Sequence, residues 1–289
     1  MIIVLGSEDD FHSRYIYEKL CQRKQKVAYL DTRKYPTFSW SANDLNSYII
    51  LNNAKISTED IKGLYWRWYY GVTNCETDIV YREKTSALES LLYSLEEKSY
   101  NSLQSVELHR KKGYQSLLMH KNGIAIPNTI ITSDKNIVEE FYNNNNKNVI
   151  YKPVRGGAFA QKLSEEDFKR LDLIINCPVQ FQECIDGVDI RVYAFKTGEI
   201  YAGEIIVDCI DFRKDAKAQI NKINLPEHVK KDCLKILELL GLKYSGIDIR
   251  RTKDDKYVFI EANPAPMFVH FENTTGYQIT ETLINNLIY

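Results

Sequence analysis

Three oxygen-bearing side chains near the C-terminus have types and spacing suited to holding a cation: Asp248, Glu261 and Asn263. They lie in the stretch YSGIDIRRTKDDKYVFIEANPAP, residues 244–266, which reads as two short strands joined by a polar turn at Lys253-Asp254-Asp255-Lys256. In a hairpin closed across that turn, Asp248 falls near the level of Glu261 and Asn263. Three hard oxygen donors then converge. Such a set suits Mg2+, which takes a few carboxylates and completes its octahedron with phosphate oxygens and water. The same stretch also fits a solvated hairpin with acidic residues on its outer face. The enclosure of Glu261 by Phe259, Ile260 and Ala262 weighs against that alternative.

Phosphate-binding equipment stands upstream. Lys152 sits on the apolar run 149–153 and precedes Arg155-Gly156-Gly157. A lysine supplies a point charge, and glycine lets backbone N–H groups approach phosphate oxygens; an ordinary hairpin fits the same residues. The basic run His109-Arg110-Lys111-Lys112 opens a helix over 112–121. Cations there oppose the helix dipole, so a purely structural reason is weak. On the strand 189–195, Asp189, Arg191 and Tyr193 share one face and Ile190, Val192 and Ala194 the other. One face is polar and functional in character, the other core. Arg67 lies among Trp66, Trp68 and Tyr69 at a strand end. There it is placed either to clamp a carboxylate, steadied by the rings, or to cover an apolar lid as a surface arginine.

The elements that must position these residues follow from periodicity. The run 1–5, a turn at Gly6-Ser7, a helix over 11–23 and a strand at 27–30 make a βαβ opening, hence an open α/β sheet. No GxGxxG is present, so no dinucleotide site is read there. Residues 47–50 and 54–56 form a hairpin around Asn52-Asn53, and 61–65 a further strand. Residues 81–100 form one long helix with Leu88, Leu91, Leu92 and Leu95 as its core stripe. Strands follow at 129–132, 149–153, 178–185, 189–195 and 200–207. Helices fall at 134–142, 163–171 and 226–240, with a closing one at 276–287.

Composition excludes several classes. With 289 residues the chain can bury a large core, and its formal net charge of −1 points to no nucleic-acid or membrane partner. The six cysteines form no CxxC pair and gather no histidines, so they read as reduced thiols of a cytoplasmic protein. The apolar run at the start is too short for a signal peptide, and no segment approaches a membrane span.

Taken together, these motifs resemble the ATP-grasp superfamily of carboxylate–amine ligases. In order come Lys112, then Gly123-Ile124-Ala125-Ile126-Pro127-Asn128-Thr129, the strand lysine and glycine loop from Lys152 to Ala158, Gln182-Glu183-Cys184-Ile185, Gly187 to Arg191, and Asp248 with Glu261-Ala262-Asn263-Pro264. Within that superfamily the chain is most similar to the microviridin-type or graspetide macrocyclases that mature ribosomal peptides. The residues carrying this are Tyr65-Trp66-Arg67, Asp211-Phe212-Arg213, and Glu272 with Thr275-Gly276-Tyr277-Gln278-Ile279.

The resemblance implies an α/β fold with α+β elements. Its parts are an N-terminal open α/β lobe over 1–105 and central and C-terminal lobes, 106–180 and 181–289, that clasp ATP. It implies ATP and Mg2+ as cofactors and an ADP-forming ligation of a carboxylate to a hydroxyl or amine. Lys112 and Lys152 would hold the α- and β-phosphates under Gly156 and Gly157. Gln182, Glu183, Cys184 and Ile185 would line the adenine, mostly through backbone groups, with Asp189 near the ribose or phosphate edge. Asp248, Glu261 and Asn263 would bind Mg2+. Arg191 and Arg213 would meet the γ-phosphate and substrate carboxylate, with Arg67 also on the substrate. Cys184 reads as a small apolar wall and not as a nucleophile. The implied partner is a precursor peptide with leader and core; a homodimer is left open. Two alternatives stand beside this: a ligase of the same fold acting on an amino acid or protein terminus, and a non-catalytic nucleotide-binding module.

Overall fold

The computed structural model describes residues 1–43, 46–67, 69, 71–155, 158–206 and 219–289. Gly156, Gly157 and Arg213, expected at the phosphates and the substrate carboxylate, lie outside the described residues, as do Trp68, Asp211 and Phe212. The chain divides into two compact units. One comprises Met1–Val106, Gly241–Tyr244 and Pro264–Tyr289, and the other Glu107–Leu240 and Ser245–Asn263.

In the first unit, Ile2–Leu5 (β1) is buried throughout, as the central strand of a parallel sheet must be. It leads through the helix Phe11–Gln22 (α1), N-capped by Asp10, to Val27–Leu30 (β2). A small antiparallel sheet follows: Thr37–Ser39 (β3), Tyr48–Leu51 (β4) and Ala54–Ser57 (β5), in the order β3-β4-β5. Asn52 and Asn53 turn between β4 and β5 with φ of 51° and 61°, which asparagine tolerates better than most residues. Gly63–Trp66 (β6) returns to the main sheet. The helix Asp78–Tyr93 (α2) then leads to the short strand Ser99–Tyr100 (β7), giving the parallel order β2-β1-β6-β7. The single helix expected over 81–100 therefore ends at Tyr93. Its leucines still pack into the core with Ile3, Leu5, Leu30 and Trp66.

The helix Leu103–Arg110 (α3) runs across the division into the second unit, where Lys112–Lys121 (α4) follows. Thr129–Thr132 (β8), Val149–Pro153 (β9), Gln161–Lys162 (β10) and Val179–Glu183 (β11) form an antiparallel sheet in the order β10-β9-β11-β8. The helices Lys135–Asn144 (α5) and Glu165–Phe168 (α6) accompany it. Val138, Val149, Leu163, Leu171 and Phe181 form its core.

A second sheet comprises Val188–Phe195 (β12), Ile200–Ile206 (β13), Gln219–Ile223 (β14), Tyr244–Arg251 (β15) and Tyr257–Asn263 (β16), in the order β14-β13-β12-β15-β16. The helix Glu227–Leu239 (α7) packs on β12. It buries Val229, Cys233, Ile236 and Leu237, whose spacing places them on one helical face. Ile190, Val192 and Ala194 are buried as expected, but Tyr193 on the polar face is buried too.

The chain ends in the first unit with Val269–Thr275 (α8) and Ile279–Ile288 (α9), where one helix over 276–287 was expected. Gly276, at φ 66°, caps α8 in the left-handed conformation and divides the two. Among the described residues no helix is long and apolar enough to cross a membrane.

Candidate active site

In the second unit, Asp248 of β15 and Glu261 of β16 are register partners, and Asn263 stands opposite Gly246. An irregularity makes this face. Ile249 pairs with Phe259, so one step on β15 spans two on β16, and Ile260 is the extra residue. In an unbulged strand Phe259 and Glu261 would share a face. The bulge lets Phe259 enter the core beside Ile249 while Glu261 opposes Asp248.

Each carboxylate carries a cation. Arg191 Nη1 donates to Asp248 Oδ1 at 2.6 Å from the neighbouring strand β12, and its guanidinium lies 5.2 Å from the centre of the Tyr193 ring. Burial opposes the Arg191 charge, but Asp248 and Tyr193 outweigh it and drive its pKa above the ordinary arginine value. Lys112 Nζ donates to Glu261 Oε2. Burial alone would push the Glu261 carboxyl up. The charge and hydrogen bond of Lys112 outweigh that, and His109 and Lys152 add to the pull, holding it down at about 2.

The basic start of α4 thereby finds its reason. Lys112 and Gln115 are three residues apart and share a helical face. Gln115, only 2 % exposed, donates through Nε2 to Ala262 O and accepts from Ala262 N, both at 3.0 Å. His109 Nδ1 lies 3.1 Å from the same carbonyl, and burial pushes its imidazole below the ordinary histidine range. The backbone between Glu261 and Asn263 is thus gripped by two side chains that motif reading overlooked. The only sequence signal was the otherwise unexplained basic run.

Lys152 Nζ donates to Gln182 Oε1 at 3.1 Å, and Gln182 Nε2 to Thr129 Oγ1 at 2.9 Å. Gln182 is buried and acts as a brace for Lys152. Glu183 N donates to Asn128 O and Cys184 N to Asn148 O, each at 2.8 Å, and Asn148 Nδ2 donates to Cys184 O. The N–H groups of Glu183 and Cys184 are therefore engaged within the unit. Burial pushes the Cys184 thiol up, away from nucleophilic use. Ile185 follows, half-buried. Asp189 Oδ1 accepts from Arg250 Nη1 at 2.9 Å, and Arg250 Nη2 donates to Gly187 O. A Cβ on Gly187 would overlap the Arg251 carbonyl oxygen, so glycine is required at that close approach.

Arg67 belongs to the first unit. Its Nε donates to Asp10 Oδ2 at 3.1 Å and its Nη1 to Ala265 O at 2.8 Å. Among the described residues it is held by a carboxylate and a carbonyl; Trp68, one of the rings expected to steady it, lies outside the described residues.

The donor set fits a hard cation. Asp248, Glu261 and the Asn263 amide all offer oxygen donors of the kind such an ion takes, and the pull of Lys112 favours the ionised form of Glu261. Residues 109–287 match the RimK-like ATP-grasp domain. The chain belongs to that family. It is an ADP-forming ATP-grasp ligase, which sets aside a non-catalytic module. The ligase is 31 % identical to PsnB, an ATP-grasp ligase solved with a minimal precursor; the match covers 99 % of this chain and 97 % of that one, with TM-score 0.87. The fold is shared with the macrocyclase MdnC from Microcystis aeruginosa MRC, solved with the precursor peptide MdnA, at 20 % identity, TM-score 0.86 and 99 % of each chain. A curated relative is the alpha-aminoadipate–LysW ligase LysX of Sulfurisphaera tokodaii, 24 % identical over 242 residues, 76 % of this chain and 85 % of that protein.

Proposed function

We propose that this ligase forms ester or amide links between side chains of a ribosomal precursor peptide in the cytoplasm. The observation that carries the reading is the pair of carboxylates Asp248 and Glu261 on adjacent strands, each held by a cation, Arg191 and Lys112, in a chain similar over its whole length to a ligase solved with a precursor.

A carboxylate is a poor electrophile, because its charge repels a nucleophile and its oxygen leaves badly. In the proposed reaction a peptide carboxylate takes the γ-phosphoryl group of ATP, and the bond to ADP breaks. A hydroxyl or amine then attacks the acyl carbon. The acyl–phosphate bond breaks, and the nucleophile's proton leaves with the released phosphate. The protein's work is positioning and charge neutralisation.

Lys112 and Lys152 hold the α- and β-phosphates, with Gly156 and Gly157 alongside. Gln182 keeps the Lys152 ammonium in place, and the stretch 182–185 lines the adenine. Asp189, fixed by Arg250, stands at the ribose edge. Asp248, Glu261 and Asn263 would hold Mg2+, which would supply positive charge to offset that of the nucleotide phosphates. Binding that ion requires Asp248 and Glu261 to share their charge with it as well as with Arg191 and Lys112. Arg191 and Arg213 bind the transferred phosphoryl group and the substrate carboxylate, and Arg67 contributes to the peptide site.

Likeness to LysX favours a second reading, ligation of an amino acid to a protein partner. Both readings share the metal site. Glu261→Gln and Asp248→Asn should each abolish ATP-dependent ligation with the far-ultraviolet circular dichroism spectrum unchanged; full activity in both variants would refute the assignment.

A further inference from the structure

Asn101 is completely buried, and its side-chain hydrogen bonds go to backbone groups of residues outside those assigned to ATP, metal or substrate. Its side chain is fully committed. Nδ2 donates to Tyr244 O at 2.8 Å and to Pro264 O at 2.7 Å, while Oδ1 accepts from Lys243 N at 2.6 Å and Tyr244 N at 3.2 Å. Two carbonyls on one side and two N–H groups on the other allow a single orientation of the amide. The Asn101 carbonyl in turn accepts from Trp66 Nε1, at the buried end of β6. All these groups lie in the first unit.

The partners are not scattered along the chain. Lys243 and Tyr244 immediately precede the hairpin segment Ser245–Asn263, and Pro264 immediately follows it. One amide therefore fastens the chain where it enters the hairpin and where it leaves. Just above, Ser245 Oγ donates to Asn263 O at 2.9 Å. Asn263 is itself a proposed metal ligand, and the carbonyl that Asn101 holds belongs to the next residue. Only an amide of this length offers two donors and two acceptors in one plane, so no other side chain would reproduce the grip.

We infer that Asn101 is a positioning residue for the metal-binding face of the hairpin, acting through the backbone at its root. The inference rests on the Mg2+ site proposed above. Losing an outer contact of this kind lowers metal affinity by roughly 10–100-fold when the ligands lose their alignment.

The test is equilibrium binding of ADP to the full chain with and without Mg2+, together with Mn2+ binding by electron paramagnetic resonance, for wild type, Asn101→Ala and Trp66→Phe. Thermal unfolding confirms that each variant is folded. Asn101→Ala should lose at least about tenfold in Mn2+ affinity and in the enhancement of ADP binding by Mg2+. Its metal-free ADP affinity should stay within about twofold of wild type, a difference too small to register as a lost contact. Equal loss with and without metal, or no loss, would overturn the inference. Where Asn101→Ala does not fold, Trp66→Phe decides on the same readings, because it removes the bond to the Asn101 carbonyl while keeping an aromatic ring in the core. Wild-type protein whose ADP binding ignores Mg2+ would instead overturn the metal site, and the inference with it.

Discussion

Arg191 Nη1 and Asp248 Oδ1 stand 2.6 Å apart across neighbouring strands, with the Arg191 side chain 12 % exposed and that of Asp248 24 %. Removing the arginine leaves the carboxylate without its cation in a largely dry setting. Arg191→Met should cost about 2 kcal/mol, less than the loss for a fully enclosed pair because Asp248 keeps some solvent. Urea unfolding of Arg191→Met, Asp248→Asn and the double variant checks this; strictly additive losses would mean the two groups are not coupled.

Lys112 keeps Glu261 ionised, so Lys112→Met should raise the Glu261 pKa from about 2 toward its ordinary value. The direction for stability follows. A depressed carboxyl stabilises the fold above its unfolded pKa of 4.5, and that stabilisation disappears as pH falls through about 2. Wild type should therefore lose more stability than Lys112→Met between those values. Carboxyl-carbon NMR of labelled glutamate reads the shift directly, and an unmoved resonance would remove Lys112 as its cause.

Gln115 satisfies both backbone groups of Ala262. Gln115→Leu keeps similar bulk but leaves the buried Ala262 N–H without this partner, at about 1–3 kcal/mol before local relaxation, while His109 stays beside the Ala262 carbonyl. Chemical unfolding should show the loss. Amide exchange at Ala262 should rise more than at Ile247, its register partner.

His12 is buried against Phe268, with ring centres 4.4 Å apart, and among the described residues its Nε2 finds no hydrogen-bond partner. Burial, then the nearby Arg67 charge, lowers its pKa to about 4 from 6.5. The unfolded chain binds the proton more readily, so stability is complete above pH 6.5 and falls as pH drops toward 4, by up to about 3 kcal/mol. His12→Phe should flatten the stability curve across that window, as measured by thermal unfolding at a series of pH values.

That Asp248 lies near the level of Glu261 was legible in the sequence, because a polar turn closes the hairpin between them. The pairing itself depends on the bulge, since the register Arg251–Tyr257 and Ile249–Phe259 would otherwise put Asp248 opposite Ile260. The bulge at Ile260 was not legible, since simple alternation puts Phe259 and Glu261 on one face. The end of α2 at Tyr93 was hidden for a related reason: Leu95 continues the apolar stripe and is buried although the helix has stopped. Gly276 was visible, but as the start of a helix and not as the cap of the preceding one. Gln115, His109 and Asn101 escaped because polar side chains that serve distant backbone carry no local pattern. Their partners exist only once the strands are paired.

The proposed reaction condenses a carboxylate with a hydroxyl or amine within a peptide, using ATP. It is tested most directly by mass spectrometry of candidate precursor peptides with Thr- and Glu/Asp-rich cores, such as any short one encoded beside the gene, incubated with the ligase, ATP and Mg2+. Each bond formed should lower the peptide mass by one water, about 18 Da, with one ADP released per bond. A peptide of unchanged mass, in the presence of a ligase that binds ATP, would contradict the claim.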